Sequence, residues 1–188
     1  MRILGLIPAR GGSKGIPRKN LHAFLGRPLL VWTCEAALAA ASLTRVVIST
    51  DDEEMAAVAR EHGVDVPGLR PPELARDDTP TLPVVQQVLG SLDEAFDAVC
   101  LLQPTNPLRS AEDIDRACRL LEDPSVDSVV SVEEVPSHYH PLWAYLVSDD
   151  GALEPAVAGE VVPRRQELPP AYVRDGSVYV TRTEVILE

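Results

Sequence analysis

Short apolar runs alternate with helix-forming segments along most of this chain, and that alternation constrains the fold more than any other feature. Apolar runs typical of strands lie at residues 3–8, 45–50, 64–66, 98–103 and 128–132. Helix-forming segments lie between them, at residues 28–41, from Asp51 or Asp52 to Glu61, at residues 82–96 and at residues 111–122. Strand, loop and helix in regular succession predict an α/β fold of three layers, α/β/α, with a mostly parallel sheet.

The regular alternation ends after Pro136. An irregular stretch rich in proline follows, and strand character returns only at residues 172–173 and 177–180. We expect a single domain over residues 1–188, with an arm or subdomain at about residues 136–172. That arm is a candidate contact between subunits.

The composition fits one soluble globular domain, because the chain has 188 residues, 45% of them hydrophobic. No apolar run approaches the roughly 18 uncharged residues of a transmembrane helix, and the first residues are too soon interrupted for a signal peptide. We therefore expect a cytoplasmic protein with no membrane partner. The cysteines, Cys34, Cys100 and Cys118, are too widely spaced to indicate a disulfide framework or a zinc site.

Charge is distributed unevenly along the chain. Residues 1–34 contain six basic and no acidic residues, although the whole chain carries a formal net charge of −12. The acidic remainder argues against nucleic-acid binding, which needs a broad basic surface. Lys14 and Lys19 are the only lysines in the chain. They are either two solvated surface residues or compact charges placed for a small, crowded anion such as a phosphate cluster.

The basic residues surround a glycine-rich loop that follows the first predicted strand. Ligands of open α/β sheets bind outside the carboxyl ends of the strands, which is where this loop begins. Glycines let the backbone approach a phosphate, and backbone N–H groups supply hydrogen-bond donors. Neither a Walker A sequence nor a G-x-G-x-x-G fingerprint is present in the sequence.

The loop sequence IPARGGSKGIPRKN, residues 7–20, closely resembles the opening loop of the acylneuraminate cytidylyltransferases, the CMP-sialic acid synthetase family. Further motifs follow in the order of that family, at residues 49–51, 70–75, 101–109, 140–141, 163–169 and 175–179. The resemblance extends over essentially the whole chain. It implies a fold of the nucleotide-diphospho-sugar transferase type with a dimerisation arm, and a homodimer.

The resemblance also implies an activity and a set of site residues. The expected reaction transfers CMP from CTP to the anomeric hydroxyl of a nine-carbon keto sugar acid and releases pyrophosphate. The catalytic residues implied are Arg10, Lys14 and Lys19; the nucleotide contacts are Ala9, Gly11, Gly12, Ser13, Asn20, Arg70 and Thr81. The sugar contacts implied are Gln103, Thr105, Arg165, Gln166 and Tyr179, with Arg165 on the sugar carboxylate. Trp143 stands where some sialic acid enzymes have lysine, which favours legionaminic or pseudaminic acid.

The resemblance implies Mg²⁺ as cofactor, but it provides no ligand for the metal in this sequence. The metal-binding aspartates of the family lie in a DID-type motif beyond the region of residues 175–179, and this sequence ends at Glu188 before such a motif. We expect the C-terminal end of the family fold to be absent. Asp175 is only a distant candidate ligand.

Several residues have a plainer structural interpretation. Gln103 and Thr105 could serve their own turn, Thr81 could cap a helix, and Arg70 could pair with Glu73. His138 and His140 are interpreted as packing or dimer-contact residues rather than metal ligands. For the whole chain, two alternatives stay open: a truncated relative that binds nucleotide as a partner subunit without turnover, and a CMP-Kdo synthetase.

Overall fold

The computed structural model describes residues 1–12, 15–159 and 162–188. Ser13 and Lys14, two of the predicted triphosphate contacts, lie outside the described residues. The chain divides into two compact units: Met1–Ser131 with Gly176–Glu188 form the first, and Val132–Asp175 form the second. No described helix has the length and apolar character needed to cross a membrane.

Strands and short helices alternate through the first unit, whereas the described residues of the second unit form strands but no α-helix. The strands are β1 (Ile3–Pro8), β2 (Ala23–Phe24), β3 (Arg27–Pro28), β4 (Arg45–Ser49), β5 (Ala98–Leu101), β6 (Ser128–Glu134), β7 (Tyr145–Val147), β8 (Leu153–Pro155) and β9 (Tyr172–Arg182). The helices are α1 (Leu29–Ala39), α2 (Glu53–Glu61), α3 (Thr81–Ser91), α4 (Ala111–Leu120) and α5 (Thr183–Leu187).

The central sheet has the strand order β4-β1-β5-β9-β6. β1 pairs parallel with β4 and with β5, whereas β5 pairs antiparallel with β9. Ser128 of β6 bonds to Val180, and Ser131 bonds to Val178, so β6 runs opposite to β9. All strands of this sheet except β9 therefore run in one direction. The predicted mostly parallel sheet is confirmed.

Alternate residues of β1 pack on opposite faces of the sheet. Ile3 and Ile7 join a buried cluster with side chains of α1, α2 and α4. Leu4 and Leu6 join a second cluster with side chains of α3 and α5. Burial on both faces explains the continuous apolar sequence of β1, and it produces the three predicted layers. All three cysteines are buried free thiols.

Two sequence predictions about local structure are wrong. Residues 64–66 make only an isolated bridge from Asp65 to Val47, because Gly63 in a left-handed conformation precedes them and Pro67 follows. The helix predicted to reach Phe96 ends at Ser91, and Phe96 packs into the core from a loop. The strand character predicted at residues 172–173 and 177–180 is confirmed, and both runs belong to one strand, β9.

Helix α4 begins with a reciprocal capping arrangement. The Ser110 hydroxyl accepts a hydrogen bond from the Asp113 amide at 3.1 Å, and the Asp113 carboxylate accepts one from the Ser110 amide at 3.3 Å. The Ser110 hydroxyl also donates to the Asp113 carboxylate at 2.7 Å, and this bond first and the amide bond second lower the pKa of Asp113. The first turn of α4 thus satisfies donors that a bare helix end would leave unpaired.

We expect Ser110→Ala to lower the free energy of unfolding by about 1 kcal/mol, because the α4 amides lose their side-chain acceptor. Ser110→Asp should retain most of the stability, since aspartate also caps helices well. Urea denaturation followed by far-UV circular dichroism measures both variants. Equal stability of the alanine and aspartate variants would contradict the capping role.

The second unit is built from a short hairpin and irregular segments. β7 and β8 pair antiparallel, and Gly151 takes a left-handed conformation in the turn between them. His140 is buried, with its Nε2 2.9 Å from the Pro169 carbonyl oxygen and its Nδ1 accepting from the Leu142 amide at 3.2 Å. Both ring nitrogens are occupied by the backbone, as expected for a packing histidine.

Candidate active site

A cavity of about 230 Å³ lies in the first unit at the carboxyl ends of β1 and β5. Its lining comes from three segments: residues 8–20, which follow β1; residues 70–84, which lead into α3; and residues 103–105, which follow β5. The location agrees with the rule for ligand sites in open α/β sheets.

The structure brings eight predicted nucleotide- and sugar-binding residues to this cavity. They are Arg10, Gly12, Lys19, Asn20, Arg70, Thr81, Gln103 and Thr105. Ala9 is fully buried behind the lining. The amide of Gly11 donates to the Asp51 carboxylate at 2.9 Å, and this bond connects the glycine-rich loop to the segment that follows β4.

The phosphate loop, residues 9–20, is fastened at both of its described ends. The amide of Ala9 donates to the Ser49 carbonyl at 2.9 Å, continuing the pairing of β1 with β4. Asn20 is buried, and its side-chain amide donates to the Arg10 carbonyl at 3.3 Å. The described ends of the loop are therefore tied to β4 and to each other without a ligand, and such fixed donors favour the binding of an anion.

Arg70 is a buried cation in the cavity wall. Its guanidinium donates to the Ser49 hydroxyl at 3.0 Å and to the Ser49 carbonyl at 2.6 Å. The sequence alternative of an ion pair with Glu73 is therefore wrong, because the side chain turns toward β4 instead. Burial lowers the pKa of Arg70, Asp51 raises it and Arg10 lowers it further. Arginine keeps its charge despite such shifts, so the wall stays positive.

Thr81 is the first residue of α3 and makes no side-chain capping bond, because the cap position is Pro80. The cap interpretation of Thr81 is therefore wrong. Its exposed side chain lies on the cavity lining, where a helix N-terminus adds further positive potential.

Sequence reasoning missed three polar residues of the cavity lining, Arg76, Asp77 and Thr79. They belong to the proline-rich stretch between Pro67 and Pro80. The Arg70 amide donates to the Thr50 carbonyl at 2.7 Å, so the stretch is fastened to the end of β4. In the sequence, a basic residue followed by two acidic ones is typical of a solvated cluster. Long-range contacts such as this one bring the segment to the cavity.

The charge of the lining is strongly positive within the described residues. Four cationic side chains, those of Arg10, Lys19, Arg70 and Arg76, face one carboxylate, that of Asp77. The chain as a whole carries −12. A cavity with excess positive charge in an acidic protein attracts a compact polyanion and holds it by backbone and side-chain donors.

Two of the predicted sugar contacts converge near Gly176. A Cβ placed on Gly176 would lie 3.9 Å from the Gln103 amide oxygen, 3.9 Å from the Tyr179 hydroxyl and 3.1 Å from the Asn106 amide nitrogen. Gly176 has a positive φ of 77°, so a side chain there is disfavoured by conformation as well as by space. Three polar side chains thus approach one point beside the loop that follows β5.

The other two predicted sugar contacts lie in the second unit. Arg165 and Gln166 are exposed on the short 3-10 helix Arg165–Glu167. Arg165 also lines a cavity of about 570 Å³ within that unit, together with His140 and Glu134. The adjacent Arg164 pairs with Glu167, which leaves Arg165 as the arginine that borders a cavity.

The profile of the cytidylyltransferase family matches residues 4–184, nearly the whole chain. The chain belongs to the cytidylyltransferase family. The resemblance seen in the sequence motifs is confirmed, and the family is one of nucleotidyltransferases.

Curated members of the family include relatives that align with the full length of this chain. The CMP-N,N'-diacetyllegionaminic acid synthase of Legionella pneumophila is 37% identical over 192 residues, covering 100% of this chain and 81% of the relative. The N-acylneuraminate cytidylyltransferase of Streptococcus agalactiae is 33% identical, covering 100% of this chain and 45% of the relative. The pseudaminic acid cytidylyltransferase of Campylobacter jejuni is 42% identical over 120 residues, covering 62% of this chain and 52% of the relative.

Solved structures of cytidylyltransferases share the fold. A CMP:2-keto-3-deoxy-manno-octonic acid synthetase complexed with CTP superposes with a TM-score of 0.76 at 19% identity, covering 100% of this chain and 76% of that one. The 4-diphosphocytidyl-2C-methyl-D-erythritol synthase of Anaerococcus prevotii gives a TM-score of 0.63 at 16% identity, covering 98% and 71%. Together they confirm the predicted three-layer nucleotide-sugar transferase fold.

The described residues of this cytidylyltransferase do not form a metal site of their own. They contain no cluster of three or more histidine, cysteine, aspartate or glutamate residues. Asp77 is the single carboxylate among the described lining residues, and Arg10 lies 2.7 Å from it. Asp175 is exposed in the second unit. The surrounding cations would repel a free divalent ion, so the donor set fits an anion and does not fit Mg²⁺ alone.

Proposed function

We propose that the chain transfers CMP from CTP to the anomeric hydroxyl of a nonulosonic acid of the sialic, legionaminic or pseudaminic type. The observation that carries the proposal is the cationic cavity built on the phosphate loop at the carboxyl edge of the sheet. Family membership and the names of the relatives supply the nucleotide and the class of acceptor.

In the proposed reaction the anomeric oxygen attacks the α-phosphorus of CTP. A new phosphorus–oxygen bond forms, the bond to the α,β-bridging oxygen breaks, pyrophosphate leaves, and the hydroxyl proton passes to solvent. Negative charge builds on the α-phosphate oxygens and on the leaving group, so cations already in place can supply most of the catalysis. We assign this role to Arg10 and Lys19, with Arg70 strengthening the positive potential of the wall.

The acceptor acid is proposed to bind at the edge formed by the loop after β5. Gln103, Thr105 and Tyr179 can hydrogen-bond sugar hydroxyls. In the second unit, the guanidinium of Arg165 has the planar fork that pairs with a carboxylate, and Gln166 follows it in the chain.

We also propose that the protein is a homodimer that uses the second unit as its contact. The hairpin of β7 and β8 exposes large apolar side chains: Tyr145 at 55%, Leu146 at 62%, Val147 at 70% and Leu153 at 64%. Adjacent exposed apolar residues of this size are typical of an interaction surface. Sedimentation equilibrium tests the proposal, since Leu146→Glu with Val147→Glu should give a monomer.

Mg²⁺ is proposed to enter as its complex with CTP, because phosphate oxygens and water can complete its coordination. Bound in this way, the ion would neutralise charge on the triphosphate during transfer. The proposed compartment is the cytoplasm, where three buried free thiols stay reduced.

The decisive experiment measures pyrophosphate release from CTP and Mg²⁺ with sialic, legionaminic, pseudaminic and Kdo acids as acceptors. We expect release with at least one nine-carbon acid and little with Kdo. CTP binding without release would identify a nucleotide-binding partner subunit instead. Failure to bind CTP would overturn the proposal.

A further inference from the structure

An ion pair between described residues lies on the cavity lining, and its acidic member has no role in the function proposed so far. The Arg10 guanidinium nitrogen Nη1 lies 2.7 Å from Asp77 Oδ1 and donates to the Arg76 carbonyl at 3.0 Å. Both side chains of the pair are partly exposed, at 32% for Arg10 and 40% for Asp77. The pair joins the phosphate loop to the segment that precedes α3.

The two contacts use the same end of the guanidinium. Arginine has five N–H donors, two of them on Nη1. Both Nη1 contacts go to the Arg76–Asp77 segment, so the edge formed by Nε and Nη2 can turn to a ligand. That edge has the fork geometry that matches a phosphate.

Two effects of Asp77 on anion binding have opposite signs. As a negative charge in the lining, Asp77 repels a polyphosphate, so simple electrostatics predicts tighter binding when the charge is removed. As a fixed partner of Nη1, Asp77 restricts the many rotamers of a long side chain to one that faces the cavity, which favours binding. The Arg76 carbonyl on the same nitrogen makes the second effect stronger, because two acceptors define one orientation.

We propose that Asp77 is a positioning residue that holds Arg10 in the orientation that binds the triphosphate, and that this effect exceeds the repulsion. The proposal rests on the proposed function, because it assigns the phosphate-binding cation of that site. The position of Asp77 supports it: the residue immediately after it, Asp78, is exposed and lies off the described lining. Of these two adjacent carboxylates, Asp77 is the one that contacts the described part of the phosphate loop.

The test is a double-mutant cycle on binding of CTP and of inorganic tripolyphosphate, measured by isothermal titration calorimetry. Asp77→Asn should weaken binding of both probes about tenfold, which is the coupling expected of side chains in direct contact. In an Arg10→Ala background the same substitution should weaken binding less than threefold, because the contribution that Asp77 makes through Arg10 is then absent. Asp77→Glu should recover part of the loss.

Asp78→Asn is the matched control, since it removes the same charge one residue away. It should leave the affinity unchanged or raise it slightly. Equal or tighter binding by Asp77→Asn would overturn the proposal, and so would a tenfold loss that persists without Arg10, because that pattern belongs to a residue acting directly. Tripolyphosphate binding without CTP binding in the unmodified protein would overturn the proposed function alone, whereas binding of neither would overturn both.

Discussion

Lys19→Ala is expected to lower kcat/KM for CTP by about 10²- to 10³-fold, the loss typical of removing one preorganised donor from a developing anion. Lys19 begins the short 3-10 helix Lys19–Leu21 and lies half-buried on the cavity lining. The helix is fixed to the phosphate loop through Asn20. The backbone that carries the Lys19 side chain is therefore fixed at the cavity.

Arg18→Ala is the matched control for this experiment, because it removes the same charge from the neighbouring residue. The Arg18 guanidinium lies 2.7 Å from Glu54 and 3.3 Å from Asp52, at the start of α2 and away from the described lining. We expect less than a threefold change in kcat/KM for Arg18→Ala. Steady-state pyrophosphate release as a function of CTP concentration measures both variants. Similar losses would show that total charge, rather than the position of Lys19, governs the reaction.

Local sequence signals predicted the parts of the fold that depend on local chemistry. β1 is a continuous apolar run because both of its faces are buried, and the glycine-rich loop follows it directly. Helix α2 begins after Asp52, whose carboxylate accepts from the amides of Glu54 and Met55. In these cases the residues that determine the structure are close together in the sequence.

Long-range contacts determine what the sequence did not reveal. Long-range contacts place Asp77 on the cavity lining. Arg70, in the same stretch, bonds to Ser49 and Thr50 at the end of β4, and Arg10 pairs with Asp77 itself. The sequence predicts Arg70 as a site residue, but it does not reveal that its partner is Ser49, because Glu73 is much nearer in the sequence. A turn such as Leu25–Gly26, where both residues have positive φ, likewise depends on the pairing of β2 with β3 around it.

Arg109 is the second residue whose loss should have a large effect, in this case on stability. It is buried, and it donates to the Ser177 carbonyl at 2.6 Å and to the Gln103 carbonyl at 2.7 Å. Charge-assisted bonds of this kind contribute more than neutral ones, and a buried carbonyl that loses its donor is costly. We expect Arg109→Met to lower the free energy of unfolding by about 3 kcal/mol.

Arg116→Met provides the control for Arg109→Met, since the Arg116 side chain is 73% exposed and pairs only with Asp113 among its described contacts. Its effect should stay within about 0.5 kcal/mol. Urea denaturation monitored by tryptophan fluorescence gives both values. A loss below 1 kcal/mol for Arg109→Met would mean that the loop and β9 keep their carbonyls satisfied without the guanidinium.

The same substitution separates the two halves of the proposed site. Arg109 fixes Gln103 at the start of the loop that carries Thr105, whereas the described contacts of Lys19 and Asn20 do not involve it. At a temperature where the variant is folded, we expect KM for the sugar acid to rise about tenfold and KM for CTP to stay within twofold. A general loosening of the fold would raise KM for the sugar acid and KM for CTP together. A rise in KM for the sugar acid alone therefore requires that the loop after β5 holds the acceptor and that Arg109 holds the loop.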